Sequence, residues 1–124
     1  MRTDRRLRTI LVVEDDHDLR LLTTEVLREA GYFVESAADG VEALEKLRST
    51  GAISLVVLDL NMPRMNGFEF RERQLADPTL AAIPVIAVTA YGQLAEQLAR
   101  LGPIPCLKKP FGHDELLAMI ERLT

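Results

Sequence analysis

The chain has 124 residues, of which 48% are hydrophobic and 27% charged, with a formal net charge of −4. That suits one domain able to bury roughly two thirds of its unfolded surface, and the acidic balance gives no ground for nucleic-acid binding by this chain alone. The one cysteine, Cys106, excludes an internal disulfide and fits a reducing cytoplasm.

Residues 1–8, "MRTDRRLR", carry four arginines. The apolar run after them spans only Ile10 to Val13 before Glu14, Asp15 and Asp16 intervene, too short for a signal or membrane segment. Residues 1–8 therefore read as a solvated basic tail and residues 9–124 as the folded domain. "TILVV" (9–13) has no polar alternation, which predicts a central strand covered on both faces. Leu19, Leu22 and Val26 repeat at helical spacing, and Gly31 can end that helix. "YFVESA" (32–37) alternates better and predicts an edge strand. Asp39 and Glu42 form a capping pair for a second helix with a stripe of Val41, Leu44 and Leu47.

"SLVVLD" (54–59) predicts the third strand. Asn66 and Glu69 repeat the capping pattern before a third helix. Its stripe is weak: Phe68 and Leu75 fit, but Arg71, Glu72 and Arg73 crowd the middle. "IPVIAVTA" (83–90) predicts a fourth strand, and Leu94, Leu98 and Leu101 a short fourth helix. "IPCLK" (104–108) predicts a fifth strand, and Leu116, Leu117, Ile120 and Leu123 make the last helix amphipathic. Five strands alternating with five helices predict βαβ units around an open doubly wound parallel sheet.

In such sheets ligands sit outside the carboxyl ends of the strands. Strand one ends in Glu14, Asp15 and Asp16, strand three in Asp59 and strand four in Thr89 and Ala90. Lys108, Lys109 and Pro110 close strand five. If strands one and three are neighbours, Glu14, Asp15 and Asp59 meet in one shallow pocket, where their repulsion needs an offsetting positive charge. A hard divalent cation such as Mg²⁺ suits oxygen ligands, and Lys109 is the other candidate. A strand-end carboxylate beside such charges can attack phosphorus, with Lys109 and Thr89 meeting the phosphoryl oxygens. His17 and His113 read as helix-start surface residues. Cys106 reads as a small buried hydrophobe, and Tyr91 as a neighbour of the pocket or a plain surface aromatic. Met62, Pro63 and Met65 read as shaping the loop after Asp59.

The segments "ILVVEDD", "VVLDLNMPRMNG", "VTA" and "KKPF", in this order at successive strand ends, resemble the receiver domains of two-component response regulators. The resemblance covers nearly the whole chain. It implies a flavodoxin-like sheet in the order 2-1-3-4-5. It implies that Asp59 accepts a phosphoryl group from a histidine kinase or a histidine phosphotransfer protein. Asp15, Asp59 and the backbone carbonyl of Asn61 would bind Mg²⁺ directly, and Glu14 would act through metal-bound water. Thr89 would bind the phosphoryl group and shift on phosphorylation, Lys109 would pair with that group, and small Ala90 would leave the phosphorus accessible. A cis Lys109–Pro110 bond is also implied, as is a downstream partner at the face of the fourth helix, fifth strand and fifth helix. One departure stands out. Cys106 occupies the position of the aromatic residue that usually reorients with the threonine, and the prolines of "ARLGPIPC" stiffen the approach to it.

Two other function classes bear on the same residues. A Mg²⁺-dependent phosphatase with an aspartyl nucleophile usually offers a second carboxylate two residues on, where this chain has Asn61. A docking module without chemistry has no need of Glu14, Asp15, Asp59, Thr89 and Lys109 together. Dinucleotide binding is not expected, since no G-x-G-x-x-G follows the first strand.

Overall fold

The computed structural model of the chain describes residues 8–62, 65–89 and 104–124. Five strands and four helices lie among them: β1 (Thr9–Val13), α1 (His17–Glu29), β2 (Phe33–Ala37), α2 (Gly40–Thr50), β3 (Ile53–Asp59), α3 (Gly67–Ala76), β4 (Val85–Thr89), β5 (Cys106–Lys108) and α4 (His113–Leu123). The strands form one parallel sheet in the order β2-β1-β3-β4-β5. The helix expected around Leu94, Leu98 and Leu101 lies outside the described residues, as do residues 1–7, Pro63, Ala90 and Tyr91.

Strand alternation feeds two cores. Leu11, Val13, Val56, Leu58, Val85 and Ala87 pack with Ala43, Leu44 and Leu47 of α2 and with Phe68 and Phe70 of α3. Ile10, Val12, Leu55, Val57, Ile86, Val88 and Leu107 pack on the other face with Leu27 of α1 and with Leu116 and Ile120 of α4. Helices thus cover both faces, which is why β1 and β3 read as unbroken apolar runs. No helix among the described residues is long and apolar enough to cross a membrane.

The caps follow the sequence pattern. Asp16, Asp39 and Asn66 accept the N–H groups of Leu19, Glu42 and Glu69 at 3.0, 2.9 and 3.1 Å. The Glu42 carboxylate reaches one residue past the cap, to the Ala38 N–H at 2.7 Å. Gly51, at φ 70°, ends α2 in the left-handed conformation that glycine adopts without strain.

Two helix stripes differ from the expected ones. On α1 the buried residues are Thr23, Thr24 and Leu27, while Leu22 is 46% exposed. The threonine methyl groups serve as the apolar face, so a pattern of large hydrophobes points about one position off. On α3 Leu75, expected in the stripe, is 50% exposed, and Gln74 is fully buried instead. The Gln74 amide donates to the carbonyls of Leu80 and Ile83 at 3.0 and 2.9 Å, and its oxygen accepts from Arg71 at 2.8 Å. A buried amide is tolerated when its partners are met, and here it pins the turn leading to β4.

β2 is a sheet edge. Its odd residues face β1, as the bonds Phe33 N–H to Arg8 O and Glu14 N–H to Ala37 O indicate. The outward carbonyls of Val34 and Ser36 accept from Arg28 of α1 and Lys46 of α2.

Candidate functional site

The sheet register brings the polar strand ends together. Val13 and Leu58 are the last paired residues of β1 and β3, so Glu14 and Asp59 come next on adjacent strands. Asp59 in turn pairs with Val88 of β4, one residue before Thr89, and Thr89 pairs with Lys108 of β5. The Lys109 N–H donates to the Thr89 carbonyl at 2.8 Å, which carries the lysine one step beyond the ladder.

The lysine side chain returns across the strand ends. Its Nζ lies 2.9 Å from Glu14 Oε1 and 3.3 Å from Asp59 Oδ2. Glu14 and Asp59 are 5% and 2% exposed, so both carboxylates are largely withdrawn from water. Asp15 is exposed, yet Glu14, Asp15 and Asp59 each offer an oxygen within 4.8 Å of the others. Glu14 Oε2 accepts the Asp16 N–H at 3.2 Å, and Asp59 Oδ1 accepts the Asn61 N–H at 3.0 Å. The Lys109–Pro110 bond is cis.

Crowded acids in a poorly hydrated site change their proton affinity. Burial first, and the neighbouring Asp59 carboxylate second, push the Glu14 carboxyl from 4.5 up to about 7, although Lys109 pulls the other way. For Lys109 burial favours the neutral amine, but the Glu14 hydrogen bond and the charges of Asp59 and Glu14 outweigh it and raise its pKa.

The loop after β3 is tight. The Leu60 N–H reaches the Val88 carbonyl at 3.0 Å, and the Gly67 N–H folds back to the Leu60 carbonyl at 3.3 Å. A Cβ on Gly67 would meet Leu60 Cα at 2.7 Å and the Asp59 carbonyl at 2.9 Å, so only glycine lets α3 begin against the strand end. Met62 is buried and Met65, at φ 44°, packs on the α2–α3 core, while Pro63 lies outside the described residues.

Thr89 is fully buried, and its Oγ1 has no hydrogen-bond partner. It stands at the end of β4, where the sequence placed it. Cys106 is half-buried against the α2–α3 core beside Ile83 and Ile104, and burial pushes its thiol pKa up. His17 is exposed and sits by Arg20 rather than in the carboxylate cluster, and His113 is exposed on the first turn of α4. Ala90 and Tyr91 lie outside the described residues. Sequence reasoning missed Arg20, whose Nη1 donates to the Glu14 carbonyl at 2.8 Å. The available signal was an arginine one helical turn after the Asp16 cap.

A parallel sheet in this order, with acids at the ends of its central strands and a lysine past the fifth, defines a flavodoxin-like domain carrying an acidic strand-end site. Residues 10–121 match the family model of the response regulator receiver domain. The chain belongs to that family, whose members serve two-component signal transduction. It is 36% identical over 118 residues to the transcriptional regulatory protein CpxR homolog of Haemophilus influenzae, covering 92% of this chain and 49% of the relative. It is 43% identical over 116 residues to the response regulator MprA of Mycobacterium ulcerans, again covering 92% and 49%. The chain thus spans about half the length of these curated relatives. Among solved structures, the chemotaxis response regulator CheY4 of Vibrio cholerae superposes with a TM-score of 0.83 at 30% identity, covering 95% of this chain and 99% of that one.

Proposed function

We propose that Asp59 is the phosphoacceptor of a receiver domain formed by residues 9–124, with residues 1–8 as a basic extension. The donor is a phosphohistidine on a histidine kinase or a histidine phosphotransfer protein. An Asp59 carboxylate oxygen forms a bond to phosphorus as the phosphorus–nitrogen bond to the donor imidazole breaks. The observation that carries this reading is Asp59 itself: a 2% exposed carboxylate on a rigid strand end, with a lysine Nζ at 3.3 Å.

The residues present fit Mg²⁺. Three carboxylates offer oxygens within 4.8 Å of one another, and hard oxygen donors of this kind suit that ion. Asp15, Asp59 and the Asn61 carbonyl would hold it, with Glu14 acting through a bound water. When bound, Mg²⁺ supplies positive charge against the acids and the phosphoryl oxygens. Lys109 holds Asp59 in place and offers its ammonium to the incoming oxygens. Thr89 has a buried hydroxyl without a partner, a donor suited to a phosphoryl oxygen. Ala90 is small enough to leave access to phosphorus.

The output of this domain is its phosphorylation state rather than turnover of a substrate. Asn61 cannot supply the acid/base carboxylate of an aspartyl phosphatase, which supports that choice. The domain acts in the cytoplasm, without nucleic acid or membrane of its own, on a downstream partner at the face that the sequence assigns to its fourth helix, fifth strand and last helix, the fourth helix lying outside the described residues. With Cys106 in place of an aromatic ring, output is either muted or carried by backbone and loop shifts. NMR comparison of free and beryllofluoride-bound protein tests this, and large shifts centred on a rotating Cys106 side chain would overturn it.

The phosphoacceptor role is tested with Mg²⁺ and acetyl phosphate. One acid-labile phosphoryl group per chain, absent in Asp59→Asn, is expected. Continuous turnover of many phosphoesters would favour an enzyme, and no labelling with partner binding intact would favour a docking module.

A further inference from the structure

We propose that Arg20 is a positioning residue for the acidic turn Glu14–Asp15–Asp16. In a parallel ladder the N–H and C=O of one residue point to the same neighbouring strand. The Glu14 N–H bonds Ala37 of β2 at 3.0 Å, so the Glu14 carbonyl faces the line of β2 as well. β2 ends at Ala37. Past it the chain leaves the ladder: the Ala38 N–H goes to the Glu42 carboxylate, and the Asp39 side chain caps α2. The Glu14 carbonyl thus lies at the point where β2 gives way to the turn into α2.

Arg20 Nη1 donates to that carbonyl at 2.8 Å. The arginine is itself fixed by its backbone N–H to the Asp16 carbonyl at 2.9 Å. Its Nη2 lies 3.2 Å from His17 Nδ1. Together with the bond from Asp16 N–H to Glu14 Oε2, this closes the turn on itself. The backbone that carries Glu14 and Asp15 is held from β2 on one side and from α1 on the other. A guanidinium suits the task because its planar fork reaches a carbonyl and a ring nitrogen at once.

The inference rests on reading the acidic cluster as a Mg²⁺ site, and that dependence yields a sharp test. As a charge, Arg20 repels a second cation, so its removal would tighten Mg²⁺ binding. As a positioning residue it arranges the ligands, so its removal loosens binding. Outer partners of metal ligands typically contribute tenfold or more to affinity.

The experiment is a Mg²⁺ titration of full-length wild type, Arg20→Ala and Arg20→Lys, followed by amide NMR. Amide hydrogen exchange is measured separately without metal. Wild type must respond at Asp15, Asp59 and Asn61; no response there defeats the Mg²⁺ reading itself and the inference with it. Given that response, Arg20→Ala is expected to bind Mg²⁺ about tenfold more weakly, with Arg20→Lys in between. Without metal, the Asp16 amide of Arg20→Ala exchanges faster while Leu11, Val12 and Val13 keep their protection. Equal or tighter Mg²⁺ binding in Arg20→Ala overturns the proposal, as does uniform loss of protection across β1. If Arg20→Ala does not fold, Arg20→Lys decides by the same two readouts.

Discussion

Replacing Glu14 by glutamine should make the protein's stability far less sensitive to pH. The wild-type carboxyl is raised from 4.5 to about 7, first by burial and then by Asp59. Each tenfold change in proton affinity corresponds to about 1.4 kcal/mol, so the displacement amounts to about 3 kcal/mol. The sign follows from linkage. Below its ordinary value the group is protonated in both folded and unfolded chains, and the stability of burying it neutral is fully present. As pH rises through about 7 the buried group must ionise, and that stability is lost. Glutamine has nearly the same shape and no proton to lose. The Glu14→Gln protein should therefore gain about 3 kcal/mol relative to wild type between about pH 4.5 and about pH 8. Urea denaturation of both proteins in EDTA across that range measures the difference, in which groups remote from Glu14, Asp59 and Lys109 cancel. A gap that stays constant within about 1 kcal/mol would refute the reasoning, because it would mean that Glu14 ionises as easily in the fold as outside it. Repeating the series with Mg²⁺ should narrow the gap, since a bound cation favours the ionised carboxylate.

Thr89→Val removes a buried hydroxyl that has no partner, so the metal-free protein should gain about 1 kcal/mol by thermal or urea unfolding. The same variant should bind beryllofluoride more weakly by fluorine NMR. Gly67→Ala places a Cβ at 2.7 Å from Leu60 Cα and should cost about 2 kcal/mol or more in chemical denaturation. Gln74→Leu removes the amide donor to the Leu80 and Ile83 carbonyls, leaving Leu80 only the Ile83 N–H at 3.1 Å. It should cost about 2 kcal/mol and speed amide exchange in the 77–83 turn.

Much of the sheet was legible because β1 and β3 are buried on both faces and read as unbroken apolar runs. The caps at Asp39 and Asn66 were legible because each cap side chain meets a backbone N–H three residues on. The sequence also placed Glu14, Asp59, Thr89 and Lys109 at strand ends, and the register puts them on successive strands. Other features depended on partners far along the chain. Gln74 is polar by type, and only the carbonyls of Leu80 and Ile83 make it a core residue. Leu22 looks like a core leucine, but the sheet meets α1 along Thr23, Thr24 and Leu27. Arg20 looks like an ordinary helix-surface arginine until its guanidinium is seen to donate to the Glu14 carbonyl.

The covered rim at β2 has a consequence for crowded conditions. A bare outer strand is a template onto which another chain can add by hydrogen bonding, the first step of many aggregates. Here two long cationic side chains, one from each helical layer, already occupy the outward acceptors at Val34 and Ser36. A second molecule approaching that rim meets occupied carbonyls and positive charge. Strand addition at Val34 and Ser36 would first have to displace both side chains.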